Sequence, residues 1–197
     1  MSPSAPFLVP ERDASSKIGR AKGGGTTYLT VPGNSISSIT TLSHTLNTDW
    51  YSPFFTPTPL IIDQLVCEVT TGASGNLRMG LYKADADWQP IGAPLADSGN
   101  IAITVAVKTY TPGTPLYLPR GRYLGVVNLD TTSTLRAPRT DIVTLLTPSL
   151  GSSGAINSLS VGRTYAAFPT PGTAWTTTAT GAAPGILTPI AYRVSTP

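Results

Sequence analysis

The chain is poor in the side chains that carry chemistry. Its 197 residues include one cysteine (Cys67), one histidine (His44) and two methionines. A single cysteine excludes an internal disulfide. One histidine and one cysteine cannot supply a zinc site without several carboxylates, so no metal or other cofactor is expected. Charge is scarce as well, at 12% of residues, while 40% are hydrophobic; solvated disorder needs the opposite balance. The net charge is +3. Nine basic residues between Arg78 and Arg193 are scattered among eight acidic ones between Asp49 and Asp141. Direct nucleic-acid binding would cluster them on one face or element. No run approaches the ~18 apolar residues that would span a membrane, so membrane insertion is not expected. No long stretch has helical periodicity. The opening MSPSAPFLVPERD lacks a basic n-region and a long apolar h-region, and does not read as a secretory signal.

What is abundant points to strands. Glycine and proline number 19 each, threonine is plentiful, and these punctuate short runs of Val, Ile, Tyr and Thr. Expected strands are Thr26–Val31, Ile36–Leu46, Trp50–Thr56 and Ile61–Thr70. Pro53, Pro57 and Pro59 place the end of the third at an edge or a crossing, because proline cannot donate to a ladder. In the fourth, Ile61, Leu65, Cys67 and Val69 are expected on one face and Gln64 and Glu68 on the other, with Asp63 interrupting the apolar side. Leu77, Met79 and Leu81 alternate with Arg78, Gly80 and Tyr82. Ala84–Pro94 reads as a turn-rich excursion. Ile101, Ile103, Val105 and Val107 alternate with Ala102, Thr104 and Ala106. Leu116–Leu118 and Arg122–Leu129 read as a pair joined at Pro119-Arg120-Gly121. The second of these is apolar on both parities, as expected of a central strand covered on both faces. Ala137–Gly154 and Pro169–Gly185 read as long loops flanking a strand near Leu159–Ala167, and Ile186–Val194 as a closing strand placed at an edge by Pro189. The fold class that follows is all-β: a single antiparallel β-sandwich, jelly-roll-like, with long loops in its C-terminal third.

Residues 1–25 differ from the rest. They combine Pro3, Pro6 and Pro10 with Glu11, Arg12, Asp13, Lys17, Arg20 and Lys22, and end in Gly23-Gly24-Gly25. Prolines favour extended backbone and the glycines a joint. The division is therefore an extended docking arm over 1–25 and a β-sandwich domain over 26–197. In the arm, Phe7, Leu8 and Val9 would be the apolar anchor. Arg12, Lys17, Arg20 and Lys22 would supply charged contacts.

The stretch VTTGASGNLRMGLYKADADWQPIGAPLADSGNI, followed by LPRGRYLGVV, resembles a β-sandwich domain that recurs in tail fibres and other appendage proteins of tailed bacteriophages. The strand Leu65–Thr71, Arg78-Met79-Gly80-Leu81-Tyr82, Ala84-Asp85, the Pro90–Leu95 link, Asp97-Ser98-Gly99 and Gly121-Arg122-Tyr123 carry the likeness, and upstream Trp50-Tyr51-Ser52-Pro53 fits it. It covers roughly residues 48–130 and rests on turn and strand determinants. The resemblance implies a phage particle protein, often oligomeric and sometimes host-binding. It leaves open a fibre, spike, collar or head-decoration subunit. Composition agrees: a charge-poor, Thr/Gly/Pro-rich sandwich suits the outside of a cell, yet nothing here exports it. A virion component, assembled in the host cytoplasm and released by lysis, meets both conditions. Its expected partners are other virion proteins (capsid, portal or collar, or tail) through the arm, and further copies of itself.

No catalytic constellation is expected, and the chain does not read as an enzyme. Ser43, His44 and Asp49 could suggest a triad, but sequence neighbours on a strand point to opposite faces, leaving His44 a core or solvent-facing residue. Cys67 lies on an inward parity and reads as buried. Asp85, Asp87 and Asp97 lack the spacing of a calcium loop and read as turn carboxylates. Asp49, Asp63, Glu68 and Asp141 carry no mark of a glycosidase pair. Trp88 and Trp175, both in expected loops, are the candidates for a host surface glycan, since sugar rings stack on exposed aromatic faces. The competing roles are interface packing and the pinning of a loop. Trp50, beside Tyr51, Phe54 and Phe55, reads as core or interface. Arg120 and Arg122 read as solvated.

Overall fold

The computed structural model describes residues 20–23, 26–29, 36–72, 74–140, 159–170, 178–179 and 190–194. Every regular element among them is a β-strand, numbered β1 to β15 in chain order. They form two antiparallel sheets, as an all-β sandwich requires.

The first sheet is organised on β5 (Leu60–Thr71). Along one side of β5 lie β15 (Ala191–Val194), continued by β2 (Thr26–Leu29) and β1 (Arg20–Gly23), and then β12 (Ser133–Thr140), continued by β3 (Ile36–His44). Along its other side lie β10 (Leu116–Leu118) and β9 (Ala106–Tyr110). The second sheet runs β14 (Thr178–Ala179), β13 (Leu159–Gly162), β4 (Thr48–Thr56), β11 (Gly121–Leu129), β6 (Asn76–Ala84), β7 (Pro90–Asp97), with β8 (Ile101–Ala102) also on β6. Ile62, Leu65, Cys67, Val69, Leu135 and Tyr192 of the first sheet pack against Phe54, Leu77, Met79, Leu81, Tyr123, Val127 and Leu129 of the second. That interior follows from the period-two alternation of β6 and β11.

Several expectations hold. β11 lies between β4 and β6, and Tyr123 to Leu129 are all buried. Among the described residues, no strand pairs with β4 at Pro53 on the side away from β11, where its missing N–H would fall in a ladder. Cys67 is buried in the core, and burial pushes its thiol up to about 12.

Others are corrected. In β5 the inward residue near the start is Ile62, not Ile61. Arg193 pairs with Gln64 but Val194 with Ile62, leaving Asp63 as an extra residue in the ladder. A one-residue bulge inverts the facing of everything before it. Ala84–Pro94 is not an excursion: the chain turns at Asp85–Gln89 and re-enters the sheet as β7 at Pro90. Ile101–Val107 is not one strand. The chain bends between β8 and β9, Ile103 is buried, and Val105 and Val107 stand 66% and 59% exposed. β10 and β11 are not a hairpin, since β10 pairs with β5 and β11 with β4 and β6. The chain crosses between sheets at Pro119-Arg120, where the Pro119 carbonyl accepts from the hydroxyls of Thr56 (3.0 Å) and Tyr123 (2.7 Å). β15 is interior, between β2 and β5, rather than an edge; Pro189 lies outside the described residues. Residues 137–140 belong to β12, not to a loop. The strand near Leu159 ends at Gly162. β1 pairs with β2, Gly23 opposite Thr26, so strand pairing begins inside the segment read as an arm.

Candidate functional site

The densest polar chemistry lies on the outer face of the second sheet, where the segment 163–170 is strapped across β4, β11 and β6. Strand parity puts Asp49 and Tyr51 of β4, Leu124, Val126 and Asn128 of β11 and Gly80 and Tyr82 of β6 on this face. Asp49 is fully buried. Its carboxylate accepts from Arg163 Nε (2.5 Å) and Nη2 (2.9 Å), from the Tyr51 hydroxyl (3.2 Å) and from Asn128 Nδ2. The Arg163 guanidinium reaches onward to the carbonyl of Ala167 (3.2 Å) and lies 5.3 Å from the centre of the Phe168 ring. The fork of donors on arginine matches the carboxylate in two places at once, a geometry lysine cannot supply. Burial, and then the neighbouring Asp49 carboxylate, raise the Tyr51 phenol well above its ordinary range.

The strap is held along its length. Asn47 sits in the left-handed region (φ 54°) and accepts from Arg163 N (2.8 Å) on its carbonyl and from Tyr165 N (3.0 Å) on its side chain. Asp97 accepts from Phe168 N (3.0 Å) and from Arg78 Nε (2.6 Å). The Tyr82 hydroxyl donates to the Pro169 carbonyl (2.7 Å). Phe168 closes the apolar layer over Tyr51, Tyr82, Leu124 and Val126. It comes close enough that a Cβ at position 80 would lie 2.7 Å from its ring, so Gly80 is what lets the strap approach. Each oxygen of Asp49 is taken by a donor, and the arrangement binds chain to chain.

Trp88 lies in the β6–β7 turn. Asp85 Oδ1 accepts from Asp87 N (2.9 Å) and Gln89 N (2.8 Å), and Trp88 adopts φ 59° to close the turn. Its ring folds back into the same apolar layer, leaving the residue 7% exposed, with the Arg122 guanidinium 5.5 Å from the ring centre. A left-handed backbone turns the side chain under the sheet instead of out to solvent. Trp88 thus pins its loop and offers no free face for a sugar. Asp85 and Asp97 serve turns and strap, as expected of turn carboxylates. Arg122 is exposed and lies over Trp88; Arg120 is 5.9 Å from the ring centre of Phe55.

His44 and Asp49 are not brought together. His44 is fully buried between the sheets and donates from Nδ1 to the Leu42 carbonyl (3.0 Å), while Asp49 is on the far side of the second sheet. Trp50 is half-buried on the inner side, edge-on to His44 with ring centres 5.2 Å apart. Among the described residues no three His, Cys, Asp or Glu side chains are grouped to hold a metal. Phe7, Leu8, Val9, Arg12, Lys17 and Trp175 lie outside the described residues; Arg20 and Lys22 lie in β1.

Sequence reasoning missed the Asp49–Arg163 pair, whose partners are 114 positions apart. The available signal was a lone acid between Thr48 and Trp50 in an apolar strand, which demands a cation from elsewhere in the chain. Compared with known proteins, the chain matches no family model and no curated protein.

Proposed function

We propose that this chain is a non-enzymatic structural subunit of a tailed phage or phage-like particle: a fibre, spike, collar or decoration subunit docked on other virion proteins through its N-terminal segment. One observation carries the reading. Most of the pieces that resemble phage appendage domains, scattered over some 80 positions, lie in one sheet, where Trp50–Pro53 in β4, Gly121–Tyr123 in β11, Arg78–Tyr82 in β6 and Pro90–Asp97 in β7 are successive neighbours, while Leu65–Thr71 lies in β5 of the facing sheet. That placement supports the reading. Two features support a structural role. The buried charges are spent on holding the strap. At β9 and β10, which have no further neighbour among the described strands, Val107 and Tyr117 (64% exposed) stand in solvent, as does Val105 just before β9, which suits burial against another subunit.

The test is incorporation. Particles from lysed cells carrying the gene are purified and labelled with antibody to the β-sandwich. Labelling at a discrete position on the particle is expected, and it should vanish for a variant lacking residues 1–19 that keeps the wild-type melting temperature. Particles that never carry the protein would refute the reading. The glycan-binding alternative is not favoured, because Trp88 is buried; it now rests on Trp175 alone.

A further inference from the structure

We propose that the β3–β12 ribbon is an acid-released flap of the sandwich, latched by an uncharged His44 seated against Trp50 between the two sheets. This goes beyond the role in a particle and does not depend on it.

Among the described strands, the ribbon is joined to the rest of its sheet by a short ladder. β3 and β12 pair with each other from Ser133 opposite His44 to Thr140 opposite Ile36, with one register shift between Arg139 and Thr140. β12, however, meets β5 at only two residues, Thr134 opposite Thr71 and Leu135 opposite Val69, with a register shift between them. Among the described strands β3 has no other neighbour. Few ladder bonds therefore hold the pair to β5; among the described residues the other ties are the Arg136–Glu68 ion pair, the Thr70 hydroxyl donating to the Thr134 carbonyl (3.1 Å), Leu135, which joins the core, and His44, which meets Trp50.

The imidazole makes that last contact while buried and neutral. Nδ1 carries the proton donated to the Leu42 carbonyl, so Nε2 is a bare acceptor. Nε2 has no partner, and neither has the nearby indole Nε1–H of Trp50 or the Ser133 hydroxyl across the strand pair. A proton added at Nε2 would create a buried cation with no carboxylate among the described residues to pair it.

No facing element supplies a counter-charge among the described residues. β12 presents Ser133 to His44, and its Arg136 is paired with Glu68 of β5. β4 presents Trp50; its Asp49 points to the opposite face and is bound to Arg163. At the end of β11, Asp130 is held by the backbone and side-chain amides of Asn76. Burial lowers the imidazole to about 4, offset only in part by the Leu42 carbonyl, with no charged group contributing. Once the ribbon swings out, the imidazole regains its ordinary value near 6.5, and acid drives the opening by linkage.

His44 is the sole histidine, so its Cε1 proton can be followed alone by NMR in the intact chain. It should titrate well below 6.5. Hydrogen exchange, corrected for the intrinsic pH dependence, should accelerate about 30-fold between about pH 7.5 and about pH 5 in peptides from 36–44 and 133–140. Peptides from β6 and β11 should stay unchanged. His44→Phe keeps an aromatic edge on Trp50 and should abolish the acceleration; His44→Gln serves the same purpose if the first variant does not fold. A histidine titrating at or above 6.5, acceleration spread evenly over both sheets, or acceleration persisting in the variants would each overturn the proposal, and the first two need no variant.

Discussion

Replacing Arg163 with methionine tests whether the strap is held by charge. Asp49 is fully buried and the Arg163 side chain is 17% exposed, so the pair is not a surface ion pair of the kind worth little in water. Arg163→Met keeps most of the aliphatic stem but removes both hydrogen bonds to the carboxylate and those to the carbonyls of Ala166 and Ala167. Breaking one side of a buried pair costs about 3–5 kcal/mol, because the charge left behind is uncompensated. Tyr51 and Asn128 still donate to Asp49, which places the expectation near the lower figure. Against a typical net stability of about 5–15 kcal/mol, the urea midpoint should fall by about 1–2 M with an unchanged slope. Asp49→Asn combined with Arg163→Met removes the stranded charge and should lose less than Arg163→Met alone. A midpoint shift below about 0.3 M for Arg163→Met, or a double variant whose loss equals the sum of the singles, would refute the account.

Three more outcomes follow from the packing. Trp88→Ala should cost about 3–5 kcal/mol by emptying the space under the β6–β7 turn, and Trp88→Gly should cost about 1 kcal/mol less despite the smaller side chain, because φ 59° favours glycine; thermal melts of the two decide it. A Cβ at position 125 would lie 2.0 Å from the Tyr192 hydroxyl, so Gly125→Ala should cost about 1–3 kcal/mol. Tyr192→Phe, which deletes an unpartnered buried hydroxyl, should leave stability unchanged or higher and reduce the cost of Gly125→Ala in the double variant, as read by denaturant titration. Cys67, held protonated by burial, should react with a disulfide reagent at neutral pH only as fast as the domain opens, and fully in urea; rapid labelling of the folded protein would contradict its place in the core.

Local chemistry was enough for some of this. The alternation of Leu77, Met79 and Leu81 and the two-parity apolar run of β11 are properties of a strand and its immediate neighbours, so their residues announce them. The inward position of Cys67 and the turn roles of Asp85 and Asp97 were legible for the same reason. What depended on distant segments was not. The bulge at Asp63 is set by its pairing with β15, some 130 positions away, and it exchanges Ile61 for Ile62 in the core. Leu116–Leu118 and Gly121–Leu129 look like the arms of a hairpin, and only the competition of β5 for one and of β4 and β6 for the other separates them into different sheets.

The sequence by itself determined that this chain is all-β and that its one cysteine, one histidine and sparse charge leave little material for chemistry. Tertiary structure alone decided where the rare polar groups went: Asp49 under Arg163 on one face, His44 between the sheets with Nε2 unpartnered, Trp88 folded beneath its own turn. The physical reason is that periodicity specifies which side of a strand a residue faces, whereas burial of a charge or a ring is settled by which remote segment arrives to cover it.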